Sequence, residues 1–206
     1  MSKRPRLKTI LATLADDLVR PGRIASSTAL ARRIQRTLEP LRPADCPAYG
    51  NDSAASGGGE YLTHLAWAVE RSDESRYAGL ALSVEGSTTP TPDGLLTALH
   101  PLLDVWARRR VLVATVPRGT LDDSNATASR IETVYQHLRR HQGSGDDAKV
   151  GVLLRETAGG RAACWIVRID GSIKQVTDRS AAPTTRVPAQ GQLFGSAATS
   201  RRVRDD

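Results

Sequence analysis

The sequence predicts an α/β domain of three layers, and three observations carry that prediction. Residues 77–84 and 111–116 are apolar runs of strand length. Between them, Leu95, Leu96, Leu99, Leu102, Leu103 and Trp106 recur at helical spacing, giving the strand–helix–strand unit from which parallel sheets are built. Three further short apolar runs follow, joined by glycine-bearing turns. The expected body is a small three-layer domain with a mixed five-stranded sheet, three parallel strands plus an antiparallel meander. A basic two-helix segment precedes it and a disordered tail follows.

In chain order, the first element is an amphipathic helix over residues 7–19, with apolar positions 7, 10, 11, 14, 15 and 18 on one face. Pro21 and Gly22 stop it. A second helix is expected over 28–38, capped by Ser26 or Ser27 and ended by Pro40, with Ala29, Leu30, Ile34 and Leu38 as its stripe. Residues 43–59, rich in Pro, Asn, Ser and Gly, read as a linker between a unit at 1–42 and a body at 60–177. Residues 60–71 carry Leu62, Leu65, Ala66 and Val69 at helical spacing and are expected to be a helix with His64 on its surface.

After the first strand, Thr91 and Pro92 open a helix that Pro101 should kink and that Arg108, Arg109 and Arg110 should close. The strand over 111–116 leads to a helix over about 121–141, with Thr120 and Asp123 as a capping pair and Leu121, Ala128, Ile131, Val134, Tyr135 and Leu138 facing inward. Strands over 149–154, 162–169 and 172–176 follow, with hairpin signals at Gly159, Gly160 and at Asp170, Gly171. Residues 178–206 are dominated by Ser, Thr, Ala, Pro, Gln and Gly and are expected to be disordered.

Composition bounds the function classes. The 206 residues contain no apolar run long enough to span a bilayer, and the two cysteines are too few for a disulfide framework. Cys164 sits in an apolar run and reads as core. A cytoplasmic setting without membrane association is expected. The net charge of +7 is uneven. Residues 1–42 hold ten Lys and Arg against three acidic side chains; 43–177 hold fourteen against sixteen; the tail holds five against three.

That asymmetry points to a polyanion. The basic arm and second helix offer Lys3, Arg4, Arg6, Lys8, Arg32, Arg33 and Arg36 as phosphate ligands, and the two helices resemble a helix-turn-helix in outline. Aromatics are absent from 1–42, so DNA or RNA would be held through phosphates rather than by stacking. The leading expectation is a nucleic-acid-associated protein whose α/β body serves assembly or regulation, as a candidate homo-oligomer.

The first alternative is a metal-dependent nuclease or phosphotransfer enzyme. Ligands gather at the carboxyl ends of parallel strands, where Glu85, Ser87, Arg118, Asp122 and Glu156 are expected. Residues 84–89 are similar to the metal-adhesion loop of von Willebrand A domains, with Glu85 where that loop has aspartate and Thr89 in place of its last serine. The resemblance implies a divalent cation there; no other cofactor is expected. His137 and His141 have a zinc-chelating spacing with no third ligand evident. GxSxG, Walker A, GxGxxG and HExxH motifs are absent, so no catalytic residue is assigned. The second alternative is a non-enzymatic assembly subunit.

Overall fold

One seven-stranded mixed sheet runs through the protein, with two helices on each face. The structure is a computed structural model, and it describes residues 4–20, 24–50, 64–70, 77–141, 148–157 and 159–180. The elements are α1 Leu7–Leu18, α2 Ser27–Leu38, a 3-10 turn Glu39–Leu41, β1 Ala48–Gly50, β2 Leu65–Glu70, β3 Tyr77–Ser87, α3 Pro92–Asp104, β4 Arg110–Val116, α4 Ser124–Arg140, β5 Lys149–Glu156, β6 Arg161–Arg168 and β7 Ile173–Ser180. Strand order in the sheet follows chain order. The β3, β4 and β5 strands are parallel, β5–β6–β7 form an antiparallel meander, and β1–β2 extend the opposite edge antiparallel.

The α/β class, the three parallel strands and the meander thus agree with the sequence, and two strands are added. The β2 strand replaces the helix expected over 60–71, whose residues 60–63 and 71 lie outside the described residues. Leu65 and Trp67 enter the core on one face of the sheet, while Ala66 and Ala68 pack with Leu80 on the other. A strand covered on both faces is apolar throughout, which hides its two-residue period. The β1 strand falls inside the expected linker, and β7 runs to Ser180, past the expected start of the tail. Its residues are mostly exposed, so it is held by its ladder to β6 rather than by an apolar pattern.

The α1 stripe is buried as the periodicity predicts: Leu7, Ile10, Leu11, Leu14, Ala15 and Leu18. It lies on β5, β6 and β7, while α2 lies on β2 and β3. Ala31 rather than Ala29 completes the α2 stripe. Both helices sit close to the sheet because glycines face them. A Cβ on Gly151 would stand 3.1 Å from Leu7 and Leu11, and one on Gly86 would stand 2.7 Å from Leu30 Cδ2. Each leucine fully buried in this layer contributes roughly 1.5–3 kcal/mol relative to exposure.

The second core lies between α3, α4 and the opposite face, built on Leu99, Leu102, Val134 and Leu138 against Leu112, Val152 and Leu154. Thr91 caps α3 by accepting from Gly94 N–H at 3.2 Å, with Pro92 at the first turn. The helix passes through Pro101 and ends at Asp104, earlier than expected. Residues beyond it run beside β3, where Arg108 N–H donates to Leu80 O, and Trp106 is 66% exposed. Arg110 begins β4 and turns its guanidinium back to Val105 O instead of closing the helix. Asp123 alone caps α4, accepting from the Asn125 and Ala126 amides, so that helix starts after Leu121. Gly159, Gly160 and Gly171 take positive φ in the two hairpin turns. Among the described residues no helix is long and apolar enough to cross a membrane.

Candidate functional site

Two adjacent serines begin α2, and only one is used by the helix. Ser26 is extended and accepts the Ala29 N–H on its Oγ at 3.1 Å, as an N-cap does. Ser27, at the first helical position, is left exposed with its hydroxyl 2.6 Å from His64 Nε2. The position of α2 over β3, set by Leu30 against Gly86, brings Ser27 to this point.

His64 immediately precedes β2, and the β2–β3 register, which pairs Leu65 with Val84, sets it opposite Glu85. The Glu85 carboxylate accepts the His64 backbone N–H at 3.0 Å on one oxygen and lies 2.5 Å from Nδ1 through the other. Gln35 Nε2 on α2 donates to the His64 carbonyl at 3.3 Å. His64 and Glu85 are buried, at 5% and 7% exposure.

A carboxylate only accepts, so the proton between it and the imidazole belongs on Nδ1. The Gly86 N–H also lies 3.4 Å from Nδ1, but that contact is long, and the 2.5 Å approach of Glu85 decides the tautomer. The neutral ring then offers Nε2 to the Ser27 hydroxyl. Hydroxyl, imidazole and carboxylate form one chain that can move the serine proton onto the ring, whose resulting positive charge faces the carboxylate.

A cavity of about 620 Å³ opens at the carboxyl ends of β3, β4 and β5, and Ser27, His64 and Glu85 are not among its lining residues. Ile24 and Ala25, just ahead of Ser26, line it together with Thr88, Pro90, Thr115, Arg155 and Thr157. Thr115 and Arg155 are register partners across β4 and β5. Arg155 is 1% exposed and donates from Nε to Leu18 O at 3.4 Å. Burial first, and then the charge of Arg33, push its pKa down from the usual arginine value. Among the described residues the buried Thr115 hydroxyl has no hydrogen-bond partner. A larger groove of about 760 Å³ between α4 and β6–β7 is lined by Leu121, Ile131, Trp165 and Ile173 among others, and no histidine lines it.

Of the residues expected at the strand ends, Glu85 alone enters the serine–histidine chain. Ser87 accepts the Thr89 N–H in the following turn. Glu156 receives the Gly119 and Leu121 N–H groups and so anchors the β4–α4 loop. Asp122 pairs with Arg161, which also meets Asp178, and Arg118 is exposed in that loop. None of these four lines the 620 Å³ cavity.

Among the basic residues, Lys3 lies outside the described residues. Arg6, Lys8, Arg32 and Arg36 are exposed, Arg4 is partly buried, and Arg33 is held by Asp17 through its carboxylate and carbonyl, both at 2.6 Å. No group of three or more His, Cys, Asp or Glu able to hold a metal ion occurs among the described residues. His137 instead meets His100 at 3.3 Å, and His141 meets Asp104 at 3.1 Å, clipping α4 to α3. Cys164 is buried, its thiol 3.6 Å from Leu11 O.

Ser27 and His64 were not distinguishable as site residues in the sequence, since no local motif joins them. The available signal was a pair of serines at a helix start, where a cap needs only one. The chain matches no protein-family model and no curated protein.

Proposed function

We propose that the protein is a serine-dependent hydrolase with Ser27 as nucleophile, His64 as general base and acid, and Glu85 as the group that orients His64. One observation carries this reading. An exposed hydroxyl, a buried imidazole and a buried carboxylate stand at 2.6 and 2.5 Å in the order that nucleophilic catalysis requires.

In the reaction, Ser27 Oγ attacks an ester carbonyl as its proton passes to His64 Nε2. The bond to the leaving oxygen breaks, and His64 returns the proton to that oxygen. Water then attacks the acyl-serine, giving a proton to Nε2; the acyl–Oγ bond breaks as His64 returns that proton to Oγ, and the acid and free Ser27 are released. Leu30 N–H bonds Ser26 O and Ala29 N–H bonds Ser26 Oγ, so the Ser27 and Thr28 amides are the first-turn donors outside both contacts. They lie at the positive end of the helix, where developing negative charge is stabilised.

The test is labelling by a fluorophosphonate probe, with mass spectrometry of the modified peptide, alongside turnover of nitrophenyl esters. Ser27 should carry the label, and Ser27→Ala should lose both label and turnover. Labelling elsewhere, or equal turnover by Ser27→Ala, overturns the reading.

A second reading is supported by the exposed basic face, where Arg32 and Arg36 lie one turn apart on α2 with Lys8 and Arg6 exposed on the same helical layer. In it, this face binds DNA or RNA phosphates. Anisotropy of a labelled duplex across a salt series should show affinity falling as salt rises. Replacing Arg32 and Arg36 by Ser should flatten the log–log slope by about 2, near 0.9 per lost phosphate contact. Absence of binding at low salt removes this reading.

A further inference from the structure

We infer that the surface where Arg4 meets the stretch from Trp106 to Arg109 binds single-stranded nucleic acid, with a base stacked on the Trp106 indole and the flanking phosphates on Arg4, Arg108 and Arg109. This surface lies at the amino end of β4, apart from the Ser27 site at the carboxyl end of β3, so it stands independently of the hydrolase reading. It also differs from the α2 face, which offers phosphate ligands and no aromatic ring. Trp106 is 66% exposed, whereas Trp67 and Trp165 are buried. Its backbone is fixed all the same. The Trp106 carbonyl accepts the Leu80 N–H at 3.4 Å, the Arg108 N–H donates to Leu80 O at 2.9 Å, and the Arg110 guanidinium holds Val105 O. The indole is thus presented to solvent from a stretch tied to β3, which lowers the ordering cost of a stack. Arg108 is exposed two positions on, its Cα at most about 7 Å from that of Trp106, so one nucleotide can meet both.

The charge around this stretch is positive. Burial first, and then the charges of Arg4 and Arg108, push the Arg109 pKa down, which places both within electrostatic reach of Arg109. Arg109 spends one donor on Ala81 O at 3.5 Å. Among the described residues no carboxylate forms an ion pair with Arg4, Arg108 or Arg109. The Cys46 thiol reads the same corner: burial pushes its pKa up and Asp45 adds to that, while Arg4, Arg42 and Arg109 oppose it. Of these arginines, Arg42 is already held by Glu39. Like charges gathered on one partly buried surface favour a polyanion. Guanidiniums beside an exposed indole match alternating phosphates and flat bases, and only an unpaired strand offers a base face. The stacking group that residues 1–42 lack is supplied by the fold, which brings Arg4 to the Trp106 stretch.

The test is anisotropy of labelled oligothymidylate, oligouridylate and a duplex with the full chain across a salt series, with tryptophan fluorescence read alongside. Single strands should bind, quench the emission and lose affinity with salt at a log–log slope of about 0.7 per phosphate contact. The tighter of the two strands assigns DNA or RNA. Trp106→Ala, at an exposed position, should leave the thermal midpoint in place and weaken single-strand binding about five-fold or more. Trp106→Phe should recover part of that loss, and Arg108→Ser should flatten the slope by about 0.7. Absence of single-strand binding at low salt, or Trp106→Ala binding as tightly as the wild type, overturns the inference. Single-strand binding that needs Trp106, with no duplex binding, keeps this site and removes the α2 reading. Duplex binding lost on replacing Arg32 and Arg36, beside single-strand binding that ignores Trp106→Ala, does the reverse.

Discussion

The Glu85 carboxylate holds His64 at two points, its backbone N–H at 3.0 Å and its Nδ1 at 2.5 Å, so the residue at the start of β2 and its ring are fixed by one side chain on β3. Position and tautomer are set together. Glu85→Gln retains much of the shape but can direct an N–H at Nδ1, which favours the wrong tautomer. Ester turnover should fall by about 10³–10⁴ while the fold remains, checked by kcat beside circular dichroism. Glu85→Ala should in addition destabilise by about 1–3 kcal/mol in urea unfolding, because the buried His64 N–H loses its acceptor.

The second prediction concerns the approach of α2 to β3. A Cβ on Gly86 would stand 2.7 Å from Leu30 Cδ2, inside a fully buried layer. Gly86→Ala should therefore cost about 1–3 kcal/mol through overpacking and lift the start of α2, stretching the Ser27–His64 contact. Combining it with Leu30→Val should recover part of both stability and turnover. A coupling of about 1 kcal/mol or more in the double-mutant cycle is the expected outcome.

Alkaline stability should depend on Cys164. Burial pushes its thiol from 9.0 up to about 12, and the carboxylates of Asp16 and Asp178 act in the same direction against Arg179. In the unfolded chain the thiol ionises near its ordinary value. Above that pH the unfolded state holds fewer protons than the folded one, and stability falls as pH rises from about 9 toward 12. Cys164→Ala should remove this component, seen as a shallower decline of the unfolding free energy between those limits. The wild-type thiol should also resist alkylation until the protein unfolds.

Acid stability should carry the mark of the histidine clip. Burial, then the charges of His100 and Arg140, hold the His137 pKa below its ordinary 6.5. A base with a lowered folded pKa gives stability that is present above 6.5 and declines as pH falls through the folded value, since the unfolded chain takes up the proton first. His137→Gln should blunt the loss of thermal midpoint between neutral pH and about pH 5.

Elements with local signals were legible in the sequence. Six apolar positions of α1 and the Thr91, Pro92 start of α3 follow from side-chain spacing and capping within one turn. The glycines at positive φ mark the two hairpins for the same reason. The order of β3, α3, β4, α4 and β5 then fixes the parallel centre of the sheet, because each crossover helix must pack back onto the strands it joins. Only long-range packing sets the β1–β2 edge and the site. The β2 strand is apolar on both faces and shows no one-sided period, so it exists through hydrogen bonds to β3, and β7, expected over 172–176, runs on to Ser180 through its ladder to β6. Ser27 and His64 are 37 positions apart, and His64 and Glu85 are 21 apart. Their meeting requires α2 to close on Gly86 and β2 to pair with β3 in one register. Those are packing events between distant segments, and no local spacing records them.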